Sequence, residues 1–96
     1  MSYQLIIEPG AETDIKRLRE WYEDKQEGLG DRFLKMLDFK LTKVLMNPYQ
    51  YQVRYKSIVR MAFIKVFPVA IHYEIESNNI YVLAVLGTQQ SPGFWR

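Results

Sequence analysis

At Asn47–Pro48 the hydrophobic repeat of this chain changes from that of a helix to that of a strand. Few folds accommodate both halves. Upstream, Phe33, Leu37, Leu41 and Val44 recur at helical spacing, with Leu34 and Leu45 widening the stripe. Side chains so spaced line one side of an α-helix. Asn47–Pro48 ends that helix, because the residue before a proline disfavours helical φ/ψ. Downstream, Val69, Ile71, Tyr73 and Ile75 alternate with Ala70, His72, Glu74 and Glu76, the period of a half-buried strand. A helical first half and a stranded second half must bury their apolar faces against each other.

The remaining segments fill in the order. Tyr3–Glu8 reads as a short strand stopped by Pro9–Gly10. Ala11, Ile15, Leu18 and Tyr22 then recur at helical spacing, which predicts a first helix over about residues 11–25. Acidic Glu12 and Asp14 suit the positive end of its dipole. Gly28 and Gly30 punctuate a tight connection to the second helix, so the pair forms an antiparallel hairpin. Val53–Lys56 is a weak strand and Ile58–Phe67 a strong one ended by Pro68. Ser77-Asn78-Asn79 makes a turn in which Asn can adopt the left-handed conformation. Ile80–Leu86 is apolar on both faces, as in a central or doubly covered strand. The expectation is one α+β domain over residues 1–96, β-α-α-β-β-β: an N-terminal strand and a helical hairpin packed on a mainly antiparallel sheet.

Composition narrows the chemistry. The chain has no cysteine, hence no disulfide framework, Cys-ligated metal or thiol nucleophile. No apolar run approaches the roughly 18 residues of a membrane span. The N-terminal MSYQLIIEPG lacks the positive region of a signal peptide. A cytoplasmic protein without metal, cofactor or membrane contact is expected. The net charge is only +2, but it is unevenly distributed. Residues 1–38 carry six Lys/Arg against nine Asp/Glu, while residues 39–96 carry seven against two. The second half therefore offers a basic surface for phosphate or an acidic protein.

Taken in order, GLGDRFL (28–34), NP (47–48), VR (59–60), KVFPVAIHYEIE (65–76) and IYVLAVLGTQQSPGFW (80–95) resemble the signature series of the RelE/ParE superfamily of bacterial type II toxins. The resemblance spans nearly the whole chain. It implies a β-α-α fold followed by an antiparallel meander, and a growth inhibitor neutralised by a cognate antitoxin. In RNase members of that superfamily, basic residues on the sheet and the C-terminal strand bind and cleave ribosome-bound mRNA. Here the usual His is Gly87 and the usual Arg is Gln90, beside Gln89. Acid–base catalysis needs groups that carry a proton, and neither glycine nor an amide does. The resemblance is thus ParE-like, implying a non-enzymatic poison of DNA gyrase. The alternatives are a ribosome-dependent mRNA endonuclease using Lys56, Arg60 and Lys65, and a non-toxic member that only binds antitoxin.

The residues expected to meet partners are Arg54, Arg60, Lys65, Gln89, Gln90, Phe94 and Trp95. Arg54, Lys56, Arg60 and Lys65 lie close in sequence and could form an anionic groove, or simply the solvent face of a sheet. Arg60, which matches the superfamily's arginine, could equally be held by an internal carboxylate such as Glu74. Tyr49, Tyr51 and Tyr55 are read as packing at the helix-to-sheet junction rather than base-stacking. His72, the only histidine, is read as a surface residue beside Glu74. Phe94–Trp95 resembles the terminal anchor that holds the last loop of these toxins against the body.

Overall fold

The computed structural model describes residues 2–89. Strand β1 (Gln4–Ile7) leads into helices α1 (Pro9–Lys25) and α2 (Leu29–Met46). A single 3-10 turn (Pro48–Gln50) then leads to β2 (Val53–Tyr55), β3 (Val59–Phe63), β4 (Val69–Glu76) and β5 (Asn79–Gly87). The sheet order is β1-β5-β4-β3-β2. β1 runs parallel to β5 and the other pairings are antiparallel. The expected α+β order is therefore present, with β5 an interior strand.

Pro9 does more than stop β1: it starts α1, where its missing N–H is no loss. Helix α2 begins at Gly28, whose φ of +87° suits a residue without Cβ. Its free N–H groups are met from the other helix. Glu23 accepts from Gly28 N–H at 3.0 Å through Oε2 and from Gly30 N–H at 2.9 Å through Oε1. Gly30 also lets the helices approach, since a Cβ there would lie 2.7 Å from the Arg19 carbonyl oxygen.

The core lies between this hairpin and one face of the sheet. Ala11, Tyr22, Phe33, Leu37, Leu41 and Val44 pack on Ala62, Ile64, Val69, Ile71, Tyr73, Ile80, Val82 and Val85. Tyr22, Phe33 and Phe67 form an aromatic cluster with centroid separations of 4.8–5.6 Å, within the range of favourable edge-to-face contacts. On the opposite face Val59, Met61, Ala70, His72 and Ala84 are also buried, which explains why the last strand is apolar on both sides.

Four local features differ from the sequence reading. β3 stops at Phe63, and Ile64–Pro68 forms a loop with Val66 at φ +77°. The left-handed residue of the β4–β5 turn is Ser77 (φ +55°), not an asparagine. His72 pairs with Ala84 but Tyr73 with Val82, leaving Leu83 unpaired in a bulge. That extra residue shifts the alternation, so Ile80, Val82 and Val85 all face the helices. Finally, His72 is 1% exposed rather than on the surface.

Candidate functional site

Three regions hold the residues singled out by sequence. The first is the end of β5. Parallel pairing with β1 reaches only Val82, where Glu8 N–H donates to the Val82 carbonyl. Beyond it, α1 takes over the edge: Val85 N–H donates to Asp14 Oδ2 at 3.0 Å. Burial raises the Asp14 pKa above the ordinary carboxylate value, opposed by that N–H and by Arg17. Here α1 and the end of β5 border an open cleft of about 550 Å³, walled by Leu18, Trp21, Tyr22, Pro68 and Leu86. Gly87, Thr88 and Gln89 line it, and Thr88 N–H donates to the Pro68 carbonyl at 2.8 Å. Gln89 thus borders a mixed apolar and polar cleft whose rim includes the half-exposed indole of Trp21. Gln90, Phe94 and Trp95 lie outside the described residues.

The second region is the outer sheet face around β2. Arg54 is exposed and lies over the Phe63 ring at 5.4 Å. Lys56 and Ser57 form the tip of the β2–β3 hairpin, both left-handed (φ 55° and 63°). Such a turn normally recruits Asn-Gly. The Tyr55 hydroxyl lies 2.7 Å from His72 Nδ1, with the rings in edge contact. Burial lowers the His72 pKa from 6.5 to about 4, so the imidazole is neutral at physiological pH. A neutral ring protonated on Nε2 accepts the phenol proton at Nδ1.

The third region lies on the opposite face, where α2 meets the 3-10 turn. Arg60 alternates with Ala62 along β3 and so points toward the helices. Its Nη1 donates to the Tyr51 carbonyl at 2.6 Å and the Tyr49 carbonyl at 3.4 Å, and its guanidinium lies 5.1 Å from the Tyr49 ring centre. Those carbonyls, not Glu74, hold it. The buried Tyr73 hydroxyl donates to the Pro48 carbonyl at 2.6 Å, and burial raises its pKa. Together Arg60 and Tyr73 pin the turn to the sheet. Tyr51 packs against the core, whereas Tyr49 remains exposed.

The four basic residues are therefore dispersed. Arg54 and Arg60 occupy opposite faces of the sheet, Lys56 the β2–β3 tip, and Lys65 the loop at the other end of β3. The sequence did not single out Asp14, Glu23 or the Tyr55–His72 pair. Acidic residues on α1 and alternation on β4 were visible, but the partners of all three lie on other elements.

The chain matches, over residues 5–92, the sequence family described as the ParE toxin of the type II toxin–antitoxin system parDE. It belongs to the ParE toxin family. No curated protein sequence matches it significantly. Among solved structures it is similar to one described as the chromosomal ParDE toxin–antitoxin system of P. aeruginosa. The two share 13% identity and a TM-score of 0.74, over 90% of this chain and 96% of that one. At that identity the likeness concerns the fold. Family membership makes the chain a ParE-type toxin and implies an antitoxin partner. Among the described residues, no helix is long and apolar enough to cross a membrane.

Proposed function

We propose that this ParE-family toxin arrests growth by binding DNA gyrase in the bacterial cytoplasm, and that its cognate antitoxin neutralises it by occupying its surface. The observation carrying this reading is the dispersal of the groups that RNA cleavage would need. Phosphoryl chemistry on a ribose requires a base, an acid and phosphate-binding cations converging on one point. Here Arg60 is engaged with two backbone carbonyls and His72 is buried and neutral. The β5 end presents Gly87 where the RNase members usually carry histidine, and Gln89 stands beside Gln90, the position of their usual arginine. A protein that acts by binding needs none of that convergence. The cleft beside Trp21 supplies what binding does need: an apolar recess with a few polar groups on its rim.

The test is a gyrase supercoiling assay with purified toxin, run beside a ribosome-bound mRNA cleavage assay. Inhibition of supercoiling without cleavage is expected, with relief on adding the antitoxin. Cleavage by the wild type would overturn the reading. The double variant Gly87→His with Gln90→Arg, which restores the residues usual in the RNases, probes the same point from the other side. Inhibition of neither process would identify a member of the fold that only binds antitoxin.

A further inference from the structure

Among the described residues, Lys56, Ser57, Val66 and Ser77 are the non-glycine residues with left-handed φ. Lys56, Ser57 and Ser77 sit in the tight turns between antiparallel strands, where such φ is routine. Val66 (φ +77°) is the exception. Its branched Cβ makes that conformation a costly outlier. Its side chain is 73% exposed, so packing within the chain returns little of the cost. The conformation is held from either side. Ile64 and Phe67 are both buried. Ile64 N–H donates to the Val69 carbonyl at 2.9 Å, and Val69 N–H to the Phe67 carbonyl at 2.8 Å. The loop therefore has two buried feet and a fixed tip, Lys65–Val66. Lys65 is exposed, and among the described residues no carboxylate forms an ion pair with it. Pro68, at the end of the same loop, walls the cleft beside Trp21, and its carbonyl accepts from Thr88 N–H at 2.8 Å. The loop is thus continuous with that cleft.

Strain kept at an exposed apolar side chain points to a contact made outside the chain. We infer that the Lys65–Val66 tip is the element with which this toxin contacts its protein target. Val66 enters a small apolar recess on the target, and Lys65 meets a carboxylate at the edge of that recess. The inference rests on the reading of the protein as one that acts by binding. A folded protein surface suits such a tip. A side chain already held in place loses little conformational freedom on docking, and the cleft beside Trp21 extends the contact. A nucleic-acid strand fits less well. Most protein contacts to nucleic acid are hydrogen bonds to phosphate and sugar, and Val66 offers none, which leaves Lys65 alone at the tip to meet a phosphate.

The test sets stability against inhibition. Val66→Gly and Val66→Asn suit the left-handed conformation and should melt at or above the wild-type temperature. Both should raise the concentration needed to inhibit gyrase supercoiling about tenfold, as loss of a central interface side chain does. Val66→Ile keeps a branched apolar side chain and should inhibit within about twofold of the wild type. Ser77→Gly relieves a left-handed residue at the opposite end of β4 and should leave inhibition unchanged. Lys65→Gln should weaken inhibition and reduce its salt dependence. Unchanged inhibition by both Val66→Gly and Val66→Asn would overturn the inference. So would a lowered melting temperature in both, which would make Val66 a packing residue, or an equal loss in Ser77→Gly. Binding of the purified antitoxin and of a labelled DNA duplex is measured on the same preparations. Losses there matching the loss of inhibition would assign the tip to the neutralising partner or to DNA and overturn the inference too. Growth arrest on expression in a bacterial host separates this inference from the gyrase reading. A wild type that arrests growth without inhibiting gyrase would sink that reading, yet Val66→Asn should still relieve the arrest. Arrest unchanged by Val66→Asn, or a wild type that neither inhibits gyrase nor arrests growth, would overturn the tip's role.

Discussion

Acidification from pH 7 towards pH 4 probes the environment of His72. The imidazole is buried beside the Tyr55 hydroxyl, and burial lowers its pKa from 6.5 to about 4. Between those two values the unfolded chain holds a proton that the folded chain does not. Stability must therefore fall as the pH drops through that window, levelling off near pH 4. A pKa gap from 6.5 to about 4 corresponds to about 3 kcal/mol at 1.36 kcal/mol per unit. That is a large share of the 5–15 kcal/mol typical of folded domains. Asp14 works in the opposite sense, because its raised pKa makes the folded state bind a proton more readily. The wild-type curve alone is therefore ambiguous.

A His72→Gln variant isolates the histidine. Its side-chain carbonyl can still accept the Tyr55 hydroxyl proton, but it does not titrate. Urea denaturation at pH 7, 5.5 and 4 should give a wild-type-minus-variant difference that shrinks by about 3 kcal/mol across the range. The imidazole resonance of the folded wild type should titrate near pH 4, not 6.5. A parallel pH dependence in both proteins, or an imidazole titrating near 6.5, would refute the argument that burial governs this residue.

Other perturbations test the packing. Leu37→Ala, at a buried position facing the sheet, should cost about 2–5 kcal/mol in chemical denaturation; a loss below about 1 kcal/mol would put the core on the wrong helix face. Gly30→Ala sets a better helix former against a Cβ 2.7 Å from the Arg19 carbonyl. Overpacking costs about 1–3 kcal/mol against a propensity gain of about 1, so equilibrium unfolding should show net destabilisation. Tyr73→Phe leaves the buried Pro48 carbonyl without its donor and should cost about 1–3 kcal/mol, read from the denaturation midpoint. Ser57→Gly relieves a left-handed non-glycine residue at the hairpin tip and should raise stability by up to about 1 kcal/mol, measured by thermal melting.

What the sequence made legible is what depends on local period. The buried stripe Phe33, Leu37, Leu41 and Val44 could be read directly because helix spacing is set within one element. The bounds of β4, Val69–Glu76, followed from Pro68 and the following turn for the same reason. His72 was misplaced although its alternation was read correctly: it does point away from the helices, but that second face is buried too. Alternation tells which side of a sheet a residue takes, and nothing about what covers that side. The Leu83 bulge was hidden differently, since an apolar strand looks the same in either register.

Arg60 marks the deeper boundary. An arginine in a strand invites a search for a carboxylate, and Glu74 was the carboxylate in view. The structure instead offers the carbonyls of Tyr49 and Tyr51, and every residue has a carbonyl, so no side chain announces that partner. An arginine held this way keeps its full charge, because a carbonyl dipole orients a cation without neutralising it. The contact that fixes Arg60 against the turn thus leaves it a positive point held over the Tyr49 ring. A charge positioned by backbone and rings, rather than paired with a carboxylate, can still attract a partner's acidic side chain. Structural and interaction roles therefore need not be alternatives at this position.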